Sequence, residues 1–321
     1  MKMKKKKIII ISAIILAFLL VAFGSMSWFI GEQVFTSSTQ LVTNQETSGV
    51  KESFWKTFGI DYEKFKSTYK IEGISVPSSE GDHDIPGDYI YAKGADTKDR
   101  DTVILIHGLG GNRYSNYPVA AYFLEKGYNV ITYDQRSSGE NKAKYTTFGY
   151  LESDDAKDLV YYASNLTTDK AIGLWGTSFG GATAGHAISD KDIAAKVKFA
   201  VLDCPVSSMK DMVAAEIDKM DIPLPTEYMT WCGSVVNKFK LGFSYGDADV
   251  PSAVADTDVP VLVINSKADQ LTPYYMGRDI YKAIDSKDKK ILSVKDSDHA
   301  QVWLNHRELY RKTMDEFISQ Y

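Results

Sequence analysis

The sequence has few cysteines, few prolines and no excess of basic residues beyond its first seven positions. Only Cys204 and Cys232 occur among 321 residues, which excludes a framework of several disulfides. Nine prolines, 25% charged residues and 44% hydrophobic residues exclude collagen-like repeats and wholesale disorder. After the five early lysines, 32 basic residues stand against 42 acidic ones. With this net negative charge, the chain after residue 7 has no excess of basic residues with which to bind nucleic acid.

Long uncharged runs are absent after residue 30, which excludes a transporter with several membrane spans. The one such run, Ile8–Ile30, has 23 residues and follows a basic segment at 1–7. At 1.5 Å per residue it can cross a hydrocarbon core of about 30 Å. The lysines predict a cytoplasmic N-terminus, a single-pass transmembrane signal-anchor and an extracellular C-terminal body in the cell membrane. The alternative is a cleaved signal peptide and a secreted protein, since Ser25 and Ser27 are small residues near a candidate cleavage point.

Residues 31–70 join this run to the rest of the chain. Residues 31–49 are rich in Ser, Thr and Gln and predict a tether. Aromatic side chains then recur at three- and four-residue steps, which predicts an amphipathic helix over 51–69. The two cysteines leave two interpretations open, one disulfide or two unpaired thiols, because sequence does not give the Cα separation that a disulfide needs.

From residue 71 onward, predicted strands alternate with predicted helices. The strands are Ile71–Val76, Asp88–Ala92, Thr102–Ile106, Asn129–Tyr133, Ala171–Trp175, Val197–Leu202, Val259–Ile264 and Lys290–Val294. Such alternation predicts an α/β fold over 71–321 with a mainly parallel, doubly wound sheet. Between about 205 and 255 the alternation breaks, and methionines, aromatics and prolines predict a helical cap insertion.

Ser178 lies in Gly176-Thr177-Ser178-Phe179-Gly180-Gly181, between a predicted strand and a predicted helix. The G-x-S-x-G pattern alone is weak, but this strand–turn–helix context is typical of an exposed nucleophile. It also leaves the amide of Phe179 at a helix N-terminus, free to donate to an anion. The glycine-rich turn after the TVILI strand offers a second candidate donor, the backbone N–H of Leu109.

His299 and Asp269 follow two later predicted strands. A serine hydroxyl becomes a nucleophile when a base takes its proton and a third group orients that base. The chain order Ser178, Asp269, His299 is the order expected in this architecture. Asp203, at the end of another strand, is the alternative acid. His107 is predicted to be a turn histidine bonded to nearby backbone.

Residues 71–321 resemble the α/β-hydrolase superfamily through the motifs HGLGGN, YDQRSSGE, GTSFGG, NSKADQLTP and SDHA. They are similar to bacterial hydrolases related to the catalytic domain of prolyl-oligopeptidase-type (S9) peptidases and to the Bem46-like group. There is no room for that peptidase's propeller domain. In many relatives YDQR continues through Gly and Ser, whereas Asn141 follows Glu140 here. The resemblance implies an esterase- or acylhydrolase-like serine enzyme.

The sequence therefore predicts a membrane-anchored serine hydrolase that cleaves small acyl esters through an acyl-enzyme intermediate. Ser178 is the predicted nucleophile, His299 the base and Asp269 its orienting acid, with the Leu109 and Phe179 amides as oxyanion hole. No metal-ligand spacing or phosphate-binding loop is present, so neither metal nor cofactor is expected.

Alternatives to the esterase remain open. The same three residues would serve a small extracellular serine peptidase with a peptide-like substrate, or an acyltransferase. A non-catalytic anchored binding protein is a further alternative, and the sequence does not identify a protein partner. We also expect the insertion to form a lid whose methionines and aromatics line an acyl pocket, ordinary cap packing being the other interpretation.

Overall fold

The computed structural model describes residues 2–49 and 51–321, with side chains at 5–49 and 54–321. It has two compact units: the chain up to Thr39 together with Lys210–Asp247, and Gln40–Met209 together with Ala248–Tyr321. The helices are α1 Lys2–Thr39, α2 Asn44–Ser48, α3 Lys51–Thr57, α4 Tyr62–Thr68, α5 Tyr117–Glu125, α6 Glu152–Leu166, α7 Phe179–Ala187, α8 Lys191–Ala194, α9 Met209–Asp218, α10 Thr226–Leu241, α11 Val250–Val254, α12 Tyr275–Ala283, α13 Val302–Asn305 and α14 Arg307–Ile318. The strands are β1 Ile71–Pro77, β2 Asp84–Ile90, β3 Thr102–Ile106, β4 Asn129–Tyr133, β5 Ile172–Thr177, β6 Val197–Asp203, β7 Val261–Ser266 and β8 Lys289–Val294.

The second unit contains one eight-stranded sheet in the order β1-β2-β4-β3-β5-β6-β7-β8. β2 pairs antiparallel with β1 and with β4, and all neighbours from β4 to β8 are parallel. The predicted mainly parallel sheet is confirmed. Its eight strands match the predicted ones closely except β2, which begins at Asp84 and ends at Ile90.

The central strand β3 is buried on both faces, which is why its sequence predicts it clearly. Its residues TVILI are all buried, and it lies between the parallel strands β4 and β5. A strand covered on both faces is a continuous apolar run rather than an alternating one. Each fully buried aliphatic side chain there contributes about 1.5–3 kcal/mol relative to exposure. The strand is therefore a rigid support for the loop that follows Ile106.

The carboxyl ends of five parallel strands meet at one edge of this sheet. Directly after them come His107 (β3), Ser178 (β5), Cys204 (β6) and the loops that hold Asp269 (β7) and His299 (β8). Ligand and catalytic sites of open parallel sheets lie at this edge. The sheet topology therefore places the residues of the sequence motifs at the same edge of the sheet.

The single amphipathic helix predicted over 51–69 is wrong. Two short helices, α3 and α4, replace it, and Gly59 between them has φ +68°. A left-handed residue ends a helix, and glycine adopts it without steric cost. The aromatic pattern still reports burial, since Trp55 and Phe65 both stack on Tyr117 in the core.

The tether predicted at 31–49 is wrong for its first nine residues, which continue α1 to Thr39. Packing within the first unit explains the extension: Val34 and Phe35 are buried, and Gly31 lies directly against α10. A Cβ at Gly31 would be 2.6 Å from the Cys232 carbonyl oxygen. The most apolar window of this helix has a mean hydropathy of 2.9 and is unburied, which is compatible with a membrane anchor or a signal sequence.

Candidate active site

Ser178 occupies a strained turn between β5 and α7, with φ 56° and ψ −117°. Such a conformation costs a non-glycine residue about 1–3 kcal/mol and persists only where the surroundings hold it. Here its N–H donates to the Asp203 carbonyl at 2.8 Å. The flanking glycines permit the close approach: a Cβ at Gly176 would lie 2.0 Å from the Gly180 oxygen, and one at Gly180 would lie 2.2 Å from the Ile106 oxygen.

The structure brings the three predicted side chains together. His299 Nε2 lies 2.9 Å from Ser178 Oγ, and His299 Nδ1 lies 2.8 Å from Asp269 Oδ2. With the proton on Nδ1 donated to the carboxylate, Nε2 is free to accept the serine proton. The N–H groups of Leu271 and Thr272 both donate to Asp269 Oδ1 at 2.9 Å. Burial raises the pKa of Asp269, but the hydrogen bond and charge of His299, together with the hydrogen bonds from Thr272, outweigh burial and lower the pKa overall.

Thr272 is a site residue that sequence reasoning missed. Its Oγ1 lies 2.9 Å from Asp269 Oδ2, 3.1 Å from His299 Nδ1 and 3.1 Å from the Cys204 carbonyl oxygen. One hydroxyl proton can be donated to either the carboxylate or the carbonyl, so Thr272 fixes the acid against the end of β6. The available signal was its position three residues after Asp269, a spacing at which Asp side chains bond local backbone.

Cys204 is a second missed residue, and its thiol is free, as is that of Cys232. It is buried, with φ +42°, and its Sγ lies 3.5 Å from Thr177 Oγ1. Burial raises the pKa of this thiol. Among the described side chains, Cys204, Asp269 and His299 have donor atoms within 4.8 Å of one another. A metal ion there would have to displace the hydrogen bond between Asp269 and His299.

The alternative acid, Asp203, bonds elsewhere. Its Oδ2 accepts from the Tyr310 hydroxyl at 2.9 Å, and Tyr310 in turn accepts from Trp175 Nε1 at 2.9 Å. Its Oδ1 has no hydrogen-bond partner in the described part of the chain. Burial raises the pKa of Asp203 to about 7. The carboxylate that bonds His299 is therefore Asp269.

His107 supports the loop after β3, as predicted for a turn histidine. Its Nε2 accepts the Gln135 N–H at 2.9 Å, and its Nδ1 donates to the Gly108 carbonyl at 2.7 Å. Burial lowers its pKa. The loop lies against the serine, since a Cβ at Gly108 would be 3.3 Å from Ser178 Cβ. Leu109 follows in this loop, and Phe179 begins α7 on the other side of the serine.

The YDQRSSGE segment forms a buried polar network behind this loop. Arg113 Nη1 lies 3.2 Å from Asp134 Oδ2, and Arg136 Nη2 lies 3.0 Å from Asp155 Oδ1. Asn141, the departure from the related pattern, donates from Nδ2 to the Asp134 carbonyl at 3.0 Å. Asn141, which replaces the residue found in many relatives, is thus held in the network by its hydrogen bond to Asp134.

Comparison with known proteins agrees with this architecture. Residues 101–241 match the family model described as the alpha/beta hydrolase fold. The uncharacterized protein YqkD of Bacillus subtilis is 27% identical over 263 residues, which cover 80% of this chain and 82% of that protein. The solved Pyrococcus furiosus esterase Pf2001 superposes with a TM-score of 0.63 at 21% identity, covering 82% of this chain and 96% of that one. The Pyrococcus horikoshii acylaminoacyl peptidase gives 0.57 at 18% identity, covering 81% of this chain and 44% of that one.

The chain has the α/β-hydrolase fold, with a sheet of eight mostly parallel strands. This confirms the fold class that the sequence predicted.

Proposed function

We propose that the protein is a serine hydrolase that cleaves carboxylic esters through an acyl-enzyme intermediate. The observation that carries the proposal is the continuous hydrogen-bonded series from Asp269 through His299 to Ser178, with separations of 2.8 Å and 2.9 Å. Nucleophile, base and orienting acid in this geometry are the requirement for acyl transfer by serine.

In the proposed mechanism, Ser178 Oγ attacks the ester carbonyl while His299 Nε2 takes its proton. The resulting oxyanion accepts hydrogen bonds from the Leu109 and Phe179 amides, and Asp269 stabilises the imidazolium. When the tetrahedral intermediate collapses, the C–O bond breaks and the alcohol leaves with the proton from His299. Water then repeats the sequence on the acyl-enzyme, releasing the carboxylic acid and restoring the serine.

The solved structures that are similar to this chain include the Pyrococcus furiosus esterase, the Exiguobacterium antarcticum esterase and the Pyrococcus horikoshii acylaminoacyl peptidase. An ester substrate is therefore the first proposal, and a peptide-like substrate is the alternative.

A substrate panel tests the proposal. We expect the purified full chain in detergent to hydrolyse p-nitrophenyl esters, with a kcat/KM that depends on acyl length, and to turn over aminoacyl p-nitroanilides far more slowly. Ser178→Ala protein is the matched blank for each substrate. A higher kcat/KM on the anilides would favour the peptidase, and wild-type activity equal to the blank on every substrate would contradict both.

The pH profile should report His299. Burial lowers its pKa, whereas the hydrogen bonds with Asp269 and the Cys204 thiol raise it more, so the net pKa is above the ordinary 6.5. Only neutral imidazole can accept the serine proton, so kcat/KM should fall as pH drops through this raised pKa. We expect the acidic limb to lie above pH 6.5 in the wild type and to move to lower pH in Asp269→Asn protein. An acidic limb near pH 6.5 that does not move in Asp269→Asn protein would contradict the pairing of His299 with Asp269.

We also propose that α1 anchors the protein in the cell membrane with the hydrolase unit outside. The support is the uncharged run Ile8–Ile30, the lysines before it and the unburied apolar helix that it forms. A signal peptide, cleaved to release the body, is the alternative that a membrane-extraction experiment distinguishes.

A further inference from the structure

The helix α10 has an exposed face that is apolar. Trp231, Val235 and Phe239 recur every four residues, so they form one stripe, and their exposed fractions are 56%, 42% and 76%. Tyr228 extends the stripe, since its ring stacks with that of Trp231 at 6.4 Å between centroids. The opposite face of α10 is buried through Met229, Cys232 and Val236. A contiguous group of large exposed apolar side chains marks a surface that contacts another protein or a membrane.

Three further apolar side chains are exposed just before α10: Met220, Ile222 and Leu224. They belong to the same compact unit as α1 and α10. Together with Trp231, Val235 and Phe239 they are the exposed large apolar side chains of the segment 205–255, and we call this set the outer apolar surface. Glu227 and Lys238 border the stripe, and Lys240 lies on the far side of the helix.

The helix α10 lies across α1 rather than alongside it. At its start, the Tyr228 ring stacks with Phe23 at 6.0 Å and its hydroxyl is 2.7 Å from Ser27 Oγ. Eleven residues later, about 16 Å along a helix, Phe239 meets Trp28 at 5.3 Å between ring centroids. The two ends of α10 therefore contact the same short stretch of α1, residues 23–28. If α1 crosses a bilayer, α10 runs near the plane of its surface.

The stripe lies on the side of α10 that faces the membrane-spanning run. The stripe side contacts Phe23, Ser27 and Trp28, which all belong to the uncharged run Ile8–Ile30. The other side of α10 contacts residues beyond that run: Gly233 packs on Val34, and Lys240 pairs with Glu32. Counted from Lys7 at one boundary, 20 residues span about 30 Å, which puts the opposite boundary near Ser27.

We propose that the outer apolar surface inserts into the headgroup–acyl boundary of the outer membrane leaflet, from which the C-terminal part of α1 emerges. The partner is the phospholipid bilayer itself, and the inference rests on the proposed anchoring by α1. Interfacial helices bury an apolar face about 5–10 Å into this boundary, and Trp and Tyr favour it because their rings are amphipathic. The aromatic group of Trp28, Tyr228, Trp231 and Phe239 matches that preference. The protein is thus held by a crossing helix and by a second helix lying on the surface.

The test uses the full chain in phosphatidylcholine vesicles with single introduced cysteines that carry an environment-sensitive NBD group. The native thiols Cys204 and Cys232 are buried, so they should label weakly, and the chain without an introduced cysteine measures that residual labelling. Val235→Cys reports the stripe, Phe18→Cys reports the spanning helix, and Lys240→Cys is the matched control on the opposite side of α10. Near-ultraviolet circular dichroism checks that each variant keeps its fold.

We expect the probe at 235 to emit at a shorter wavelength than the probe at 240 and to lose most of its emission when doxyl-labelled phosphatidylcholine is added. The probe at 18 should be quenched as well, and the probe at 240 should not. Quenching at 18 without quenching at 235 would overturn the inference and leave the anchor standing. Blue-shifted emission at 235 that doxyl lipid does not quench would also overturn it, since protein would then cover the stripe. An unquenched probe at 18 would contradict the anchor itself.

Discussion

Replacing Ser178 by alanine is expected to lower kcat toward an activated ester by about 10⁶-fold, equivalent to about 8 kcal/mol of transition-state stabilisation. The change deletes the one oxygen that lies 2.9 Å from His299 Nε2 and leaves the turn and its glycines in place. Thermal unfolding should therefore change little. The measurement is p-nitrophenyl ester turnover by wild-type and Ser178→Ala protein prepared in parallel.

A matched serine serves as control. Ser189 follows α7, and its Oγ donates to the His186 carbonyl at 2.7 Å. Ser189→Ala removes a hydroxyl without touching the series formed by Asp269, His299 and Ser178, so it should keep wild-type turnover. A folded Ser178→Ala protein that retained turnover comparable to this control would place the chemistry at another residue.

The second large effect concerns the acid that orients His299. Asp269→Asn keeps the size of the side chain but removes the charge that stabilises the imidazolium and selects the Nδ1 proton. By comparison with the general Ser-His-Asp mechanism, kcat/KM should fall by about 10⁴-fold, roughly 5 kcal/mol. The measurement is kcat/KM on one activated ester at a pH above the acidic limb.

Asp203→Asn is the matched control for Asp269→Asn. Asp203 ends β6 and Asp269 follows the neighbouring strand β7; both are buried, but Asp203 accepts from Tyr310 rather than from His299. Its raised pKa means that the folded protein holds a proton which the unfolded chain releases above about pH 4. Stability from this group is therefore lost as pH rises toward 7, and Asp203→Asn should remove that loss with little effect on rate. A larger rate loss in Asp203→Asn than in Asp269→Asn would reverse the assignment.

Much of this architecture was predictable because the sheet is parallel and buried. Strands such as TVILI are continuous apolar runs, and the residues after them converge at one edge whatever the loops do. For that reason strand ends and chain order singled out Ser178, Asp269 and His299, whose side chains form one hydrogen-bonded series; their catalytic roles stay predictions. His107 was interpreted correctly for a similar reason, since its glycine-rich turn leaves it among backbone groups.

Two of the missed features depend on contacts between segments far apart in the chain, and a third depends on a local left-handed residue. Thr272 bonds Asp269 within a local turn, but its hydroxyl also contacts the carbonyl of Cys204, and no pattern near residue 272 reports that distant carbonyl. Residues 31–39 have the composition of a tether, yet they are helical because α10, some 200 residues later, packs against them. Gly59 divides the predicted helix at 51–69 although the aromatic spacing continues across it.

One measurement tests the central claim most directly: mass-spectrometric mapping of a fluorophosphonate adduct on the full-length protein. Fluorophosphonates phosphonylate a serine whose proton is taken by a neighbouring base, so the reagent reports the activated nucleophile without assuming a substrate. We predict one adduct, on the peptide that contains Ser178, with labelling lost in His299→Ala protein and retained in Ser189→Ala protein. An unlabelled wild-type protein, or an adduct confined to another serine, would contradict it.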